Sequence, residues 1–258
     1  MDEGVVKYSI AEYWSNSSSG YSKAIINRDV NKGRAAWLAL FERIIGQDKM
    51  EILDLGTGPG VMALLLAEQG HTVTGVDISE KMLNRAKENA SKYGQKINFV
   101  YSDAEKLPFA DMTYDAVLNR HLLWTLSDPY AALFEWKRVL KPGGKLIIID
   151  GNWHPTLEGS LKHKLWSLLS VPLILVTERR ILFRGKYSAE VKKCLPLMYA
   201  KRPEEDLKII DKIGGFQNIT VIEKVNRLTQ TTLEYLKYGC GGNSFCICAK
   251  KKDSQIKK

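Results

Sequence analysis

The stretch Glu51-Ile-Leu-Asp-Leu-Gly-Thr-Gly-Pro-Gly60 constrains the fold more than any other part of the chain. An apolar run ends in three alternating glycines, Gly56, Gly58 and Gly60, and the residues that follow, 61–69, have helical composition. The glycines therefore stand where a strand turns into a helix, the place where nucleotide-like ligands bind in a parallel α/β sheet. Glycine lets the backbone turn sharply and approach a ligand with no Cβ between them. The unpaired N–H groups at the helix start favour a negatively charged group on that ligand. A dinucleotide fingerprint needs G-x-G-x-x-G. Here the spacing is G-x-G-x-G, position 61 is Val, and Pro59 has no N–H to offer. No Gly-Lys-Ser/Thr follows, which excludes a P-loop.

The same alternation continues along the chain. Strands are predicted at 51–55, 71–76, 97–101, 116–119 and 145–150. Helices are predicted at 30–45, 59–69, from Ser79 to Tyr93, and from Asp128 to Leu140, with Ser79 as a cap and Gly70 and Gly94 as stops. Strands separated by helices at 20 to 25 residue intervals signal a parallel sheet with crossover helices. Residues 151–203 break the pattern with Pro155, Pro172 and Pro196 and scattered aromatics. Alternation resumes with a helix at 204–213 and two strands near 217–225 and 244–250, read as a terminal antiparallel hairpin. The organisation expected is a helical lid over 1–45, a ligand-binding core over 46–150, an inserted cap over 151–203, a closing helix and hairpin over 204–250, and a basic tail over 251–258.

Charge narrows the partners. The formal net charge is +9. Five lysines against one aspartate sit in 250–258, and ten Lys/Arg against four Glu sit in 160–205, so the rest of the chain is close to neutral. A nucleic acid is therefore not the expected partner. The start carries Asp2 and Glu3 with no apolar run behind it, and no run approaches about 18 apolar residues, so a cytoplasmic location is expected. Cys194, Cys240, Cys246 and Cys248 lack metal-ligand spacing and read as core cysteines, with no metal site expected.

Four chemical groups fall at the same ends of successive strands: the glycine loop, Asp77, Asp103 and Asn119. In a doubly wound sheet these ends line one crevice. A carboxylate after the second strand can accept hydrogen bonds from both ribose hydroxyls, an acceptor after the third can take an adenine amino group, and acidic groups suit a cationic sulfonium. Glu51–Gly60, Val76-Asp-Ile-Ser79, Ser102-Asp-Ala-Glu-Lys-Leu-Pro-Phe109, Tyr114-Asp-Ala-Val-Leu118 and Leu140-Lys-Pro-Gly-Gly-Lys-Leu146 resemble, in order and spacing, the motifs of class I S-adenosylmethionine (SAM) dependent methyltransferases. The likeness is to the small-molecule, ubiquinone/menaquinone-biosynthesis type and covers about residues 45–150. It implies a Rossmann-like α/β fold with a seven-stranded sheet of order 3-2-1-4-5-7-6, the last strand antiparallel. It also implies SAM as cofactor, S-adenosylhomocysteine (SAH) as product, and cofactor contacts from Gly56, Gly58, Gly60, Asp77, Ile78, Asp103, Ala104 and Asn119. Met82 is expected near the adenine or ribose, and Asp54 behind the loop as its support.

The acceptor side is less defined. Methyl transfer is an in-line displacement in which alignment supplies much of the acceleration, and a general base is needed only for an acceptor that holds its proton. His121, just past the fourth strand, is the base candidate. Arg120 is a candidate for an anionic substrate, and Trp153 and His154, after the fifth strand, are further candidate substrate contacts. Tyr13, Trp14 and Tyr21 precede the core where this type folds a lid; Tyr13 is assigned to the cofactor, Trp14 and Tyr21 to the substrate. The apolar run 165–176, flanked by Lys162, Lys164, Arg179 and Arg180, is read first as a cap over the pocket, with a peripheral membrane contact or a dimer contact open. The expected reaction is SAM-dependent methylation of an O, N, S or activated C atom of a small molecule of anionic or apolar character. The alternatives are RNA methylation, made less favourable by Asn119-Arg-His-Leu122 in place of an Asn/Asp-Pro-Pro-Tyr/Phe motif, and SAM binding without transfer.

Overall fold

A computed structural model describes residues 2–152, 160–178, 187–239 and 244–253. The sheet strands are β1 (Glu51–Leu55), β2 (Thr72–Asp77), β3 (Asn98–Tyr101), β4 (Tyr114–Arg120), β5 (Leu140–Gly151), β6 (Phe216–Glu223) and β7 (Ser244–Lys251). Their order is β3-β2-β1-β4-β5-β7-β6, with β7 antiparallel to both neighbours and the others parallel where they pair. Strand order reverses between β1 and β4, the adjacent pair from which the chain runs outward in opposite directions. A crevice opens at their carboxyl ends. In β5 the pairing jumps from Tyr114–Leu140 to Ala116–Lys145, so Lys141-Pro-Gly-Gly144 loops out of the ladder as the predicted turn.

Both faces of this sheet are covered, which explains why β1, after the exposed Glu51 at its start, is buried and apolar except for Asp54. One face packs on α2 (Arg34–Ile45) and α3 (Val61–Glu68), with Trp37, Phe41, Leu65 and Ala116 in the core. The other packs on α5 (Pro129–Val139) and α8 (Glu204–Ile213), around Leu133, Trp136 and Ile210. The helix α4 (Glu80–Lys92) buries Met82, Leu83, Ala86 and Ala90 along one stripe and is capped by Ser79, whose Oγ accepts from the Met82 N–H at 3.2 Å. Asp128 caps α5, with Pro129 at its first position.

Two expectations are corrected. The segment read as one helix from residue 30 begins earlier: α1 (Glu3–Ile25) runs into a π-helical stretch, Ile26–Lys32, and α2 starts only after Gly33. At Gly33 a Cβ would meet the Thr229 carbonyl at 2.6 Å, so the close approach at this junction requires glycine. Second, β6 and β7 pair antiparallel as expected, but the link between them is itself helical. The helix α9 (Val225–Thr229) and further helical turns intervene, because the chain first buries Val225 in the α2–α3 core layer. Of the segment after β5, the structure describes a helix α6 (Ser160–Glu178) and a short helix α7 (Ala189–Lys193). On α6, Leu168, Val171, Leu175 and Val176 are exposed. Among the described residues no helix is long and apolar enough to cross a membrane. The Cys246 and Cys248 thiols lie 3.6 Å apart on one strand, and no cluster with metal-ligand chemistry occurs among the described residues.

Candidate active site

A cavity lies at the carboxyl ends of β1, β2, β3 and β4. Its wall includes Gly56, Gly58, Asp77, Ile78, Met82, Asp103, Ala104, Arg120 and His121. The glycine turn is held from below. Asp54 accepts from the Thr57 hydroxyl at 2.6 Å, and a Cβ at Gly56 (φ +61°) would lie 2.8 Å from Leu122 Cδ1, so this position admits only glycine without rearrangement. Gly60 is different. It does not line the cavity; it starts α3 at φ +82°, where a Cβ would meet that of Ala86 at 3.2 Å, so its glycine serves the packing of α3 on α4.

Asp77 is fixed by two backbone donors, Gly58 N and Ser79 N, each at 2.8 Å. A carboxylate offers about four acceptor positions, so acceptor capacity remains for a ligand. Burial pushes the Asp77 carboxyl up to about 6, against the opposing pull of the Ser79, Gly58 and Ile78 N–H groups. Burial pushes Asp54 up to about 7, opposed by Thr57 and the Ala63 N–H. Asp103 accepts from Glu105 N at 2.9 Å and from Lys7 Nζ at 2.7 Å.

Lys7 belongs to α1, which roofs the cavity. Lys7, Ile10, Trp14, Tyr21 and Ile25 all face inward, at spacings of three, four, seven and four, one face of a helix. The roof is tied down by Lys7 to Asp103 and Glu105 (2.7 and 2.6 Å), by Ser15 Oγ to Ser79 Oγ (2.8 Å), and by Asn89 Nδ2 to Ser22 Oγ (3.2 Å). Burial alone would lower the Lys7 ammonium, but Asp103, Glu105 and Glu3 outweigh it and hold it above its usual value. Lys7, Ile10 and Ile25 were not anticipated from sequence. The 7/10/14/21/25 periodicity was the available signal, masked by the serines between.

Of the aromatics assigned to the lid, Trp14 and Tyr21 line the cavity and stack edgewise with ring centroids 5.3 Å apart. Tyr13 does not; one position along the helix from Trp14, it turns outward onto Tyr187 (4.7 Å). Tyr187 and Val191, Leu195 and Met198 pack behind α1. Within the segment expected as a cap, residues 187–198 therefore buttress the roof from behind, and the roof's inward face is made by α1. Asn119 is fully buried at the end of β4, beside the cavity wall and not part of its lining. Both its amide atoms lack a hydrogen-bond partner. Trp153 and His154 lie outside the described residues.

Arg120 lines the cavity but is already engaged. Its Nη1 lies 2.8 Å from Asp29 Oδ2, and its guanidinium stacks on the Trp37 ring at 4.7 Å. Asp29 is fully buried and also pairs with Arg28 at 2.9 Å; burial would raise it, but the two arginines hold it far below the usual carboxylate range. Arg120, expected to hold an anionic substrate, thus stands at the cavity wall with Nη1 already committed to Asp29, a carboxylate it shares with Arg28. His121 sits at φ +60°, uncommon for a non-glycine residue, with its ring Nδ1 3.4 Å from Asp150 Oδ1.

Residues 53–148 match a family model described as a methyltransferase domain. A ubiquinone/menaquinone biosynthesis C-methyltransferase of Desulfotalea psychrophila is 43% identical over 102 residues, covering 39% of this chain and 41% of that protein. The chain likewise spans 46% of the demethylmenaquinone methyltransferase of Thermus thermophilus, so each of these alignments covers under half of the relative's length. A longer match, 33% identical over 179 residues, covers 65% of this chain and 68% of the ubiquinone/menaquinone biosynthesis C-methyltransferase of Rickettsia typhi. Among solved structures, a SAM-dependent methyltransferase from Aquifex aeolicus superposes with a TM-score of 0.55 at 22% identity, covering 83% of this chain and 89% of that one. Phosphoethanolamine N-methyltransferase 2 of Haemonchus contortus, in complex with phosphomonomethylethanolamine and SAH, gives 0.57 at 22%, covering 85% and 53%. At these identities the likeness to the solved structures is one of fold, and with the motif set, the strand order and the match along two thirds of a curated relative, the chain belongs to the class I SAM-dependent methyltransferases.

Proposed function

We propose that the chain catalyses methyl transfer from SAM to a small-molecule acceptor, in the cavity under α1. The carrying observation is Asp77: a half-buried carboxylate at the strand-order switch, anchored by two backbone N–H groups and still holding acceptor capacity toward the cavity. The cavity suits the cofactor in other respects. Gly58 has nothing within 3.9 Å of where a Cβ would project, leaving the backbone accessible, and Asn119, beside the wall, has unpaired buried amide atoms of the kind a polar ligand or a water satisfies. Asp77 would hold the ribose, Asp103 the adenine amino group, and Gly56–Gly58 the methionine half.

When bound, SAM would supply an electrophilic methyl carbon for an acceptor lone pair, with the neutral thioether SAH as leaving group. The chain's own residues then have three tasks. The α1 roof and Leu122 and Leu126 exclude water, Trp14 and Tyr21 orient the acceptor, and His121 takes the acceptor's proton if it has one and returns it to solvent. With Arg120 already paired to Asp29 and the acceptor side walled by Ile10, Trp14, Leu122 and Leu126, we assign an acceptor with an apolar body. The test is transfer of a labelled methyl from SAM to a panel of hydroxylated aromatic and quinol-like compounds. Stoichiometric SAH formation with one of them supports the reading; SAH binding with no transfer across the panel counts against it.

The buried acids give this reading a pH signature. Ribose hydroxyls donate to an ionised Asp77, so binding competes with its proton. SAH affinity is expected to be flat above pH 7 and to fall as pH drops through about 6, approaching about tenfold per pH unit. The free protein behaves oppositely. Asp54 and Asp77 titrate higher in the fold than their ordinary value of 3.8, so the native state binds more protons than the unfolded chain between about 4 and 7. Their contribution to stability declines as pH rises through that window. Calorimetry across pH 5 to 8 checks the first, and urea unfolding over the same range checks the second.

The roof gives another. Replacing Lys7 by Met removes the ion pair to Asp103 and Glu105 while keeping the stem. Partly exposed pairs of this kind are worth up to about 1 kcal/mol, so SAH should dissociate roughly two to five times faster. Stopped-flow fluorescence of Trp14 measures this, and an unchanged off-rate would remove Lys7 as a latch.

A further inference from the structure

We propose that Asp150 is a positioning residue for His121: it accepts a hydrogen bond from Nδ1–H and so fixes the imidazole with its lone pair on Nε2, toward the acceptor. The inference deepens the methyl-transfer reading and rests on it for its catalytic meaning, though its geometry stands apart. The backbone brings the two together. Arg120 pairs with Ile149 across β4 and β5, which places the next residues, His121 and Asp150, side by side at the strand ends. His121 then adopts a left-handed backbone at φ +60°, with its N–H on the Ile149 carbonyl at 2.9 Å. That conformation costs about 1 kcal/mol for a residue with a Cβ. Such strain persists where the surroundings enforce it, commonly at functional sites. Here it accompanies a ring that lines the cavity while its Nδ1 lies 3.4 Å from Asp150 Oδ1, a separation that catalytic hydrogen bonds often show before ligand binding tightens them.

Asp150 is itself held. It is fully buried, accepts from its own following N–H (Gly151) at 2.9 Å through Oδ1, and presents Oδ2 to Arg202 Nη1 at 2.8 Å. Arg202, also buried, is gripped from its other side by Asp206 of α8. The arrangement His121–Asp150–Arg202–Asp206 thus runs from the cavity wall into the α8 layer. Arg202 has a definite consequence. A carboxylate paired with a guanidinium has little tendency to accept a proton outright, so Asp150 can steady an imidazolium electrostatically without taking its proton.

The charges around His121 agree with a base. Burial lowers its proton affinity, Arg120 and Arg28 lower it further, and Asp150 opposes them; Asp29 lies between those two arginines. The net effect lowers the ring's proton affinity below that of a free imidazole. As the acceptor's lone pair closes on the methyl carbon, the methyl–sulfur bonding pair returns to sulfur. The acceptor's proton passes to Nε2 and then to solvent, so charge and atoms balance.

The test is the tautomer, read on the full chain labelled with 15N by long-range ring correlations, with His121→Gln identifying the signal among four histidines. At pH 7.5 and without ligand, His121 is expected as the Nδ1–H tautomer. In Asp150→Asn the ring should shift to a mixed or Nε2–H form, with proton affinity about tenfold lower. A wild-type Nε2–H tautomer, or a tautomer and titration untouched by Asp150→Asn, would overturn the proposal. Should Asp150→Asn fail to fold, the wild-type spectrum alone decides. Failure of the wider reading appears separately, as a protein that does not bind SAH, whatever the tautomer.

Discussion

Replacing Asp77 by Ala is expected to weaken SAH binding about 100-fold or more. The carboxylate has two capacities in the fold. It ties Gly58 N and Ser79 N into one frame, and its remaining acceptor positions face the cavity. Two charge-assisted hydrogen bonds to a ribose, at about 1.5 kcal/mol each or more, account for a loss of this size. The released Gly58 N–H would add to it by loosening the turn. Asp77→Asn should fall between the two, since it keeps one acceptor oxygen but presents an amide donor to hydroxyls that the carboxylate had accepted from. The loss should appear in affinity without a matching loss of fold, because burying an ionisable carboxyl already works against the free protein. Titration calorimetry of both variants, with circular dichroism to confirm folding, measures it; a loss under about threefold for Asp77→Ala would remove Asp77 from the site.

The largest effect on stability is expected at Asp29. This side chain is completely buried and pairs with both Arg28 and Arg120, the latter stacked on Trp37. Asp29→Ala leaves two guanidinium groups without their counter-charge in the core beside the cavity. Breaking a buried pair by removing one partner costs about 3–5 kcal/mol, a large part of the 5–15 kcal/mol typical of a domain. Urea unfolding should show a lower midpoint by that amount, with little change in slope. The acid side of the same linkage can be assigned a sign. Because Asp29 is held far below its ordinary value, its contribution is complete above about pH 4 and is lost only as pH falls below that. A variant within 1 kcal/mol of the parent would mean that Arg120 finds another partner, and would reopen the assignment of Arg120 to a substrate.

What could be read from sequence follows from how local each signal is. The β1 loop was legible because a turn needing left-handed residues can be met only by glycines at fixed positions. α4 was legible because its cap, its stripe of Met82, Leu83, Ala86 and Ala90, and its Gly94 stop are all within one helix. The parallel sheet followed from period and spacing, and its order from the family resemblance. What escaped depends on partners far apart in the chain. Asp29 meets Arg120 across 91 positions and Lys7 meets Asp103 across 96, and no periodicity predicts which acid a given base will find. The joining of β6 to β7 escaped because Val225 and Thr229 have no pattern of their own and become helical only against α2.

The central claim is that the cavity beneath α1 is a SAM site, and titration of the unmodified protein with SAH measures it most directly. The account predicts saturable one-to-one binding that weakens below about pH 6, together with protection of the Gly58, Ser79 and Glu105 amides from hydrogen exchange. No heat of binding at millimolar SAH between pH 7 and 8, with those amides exchanging as before, would contradict it.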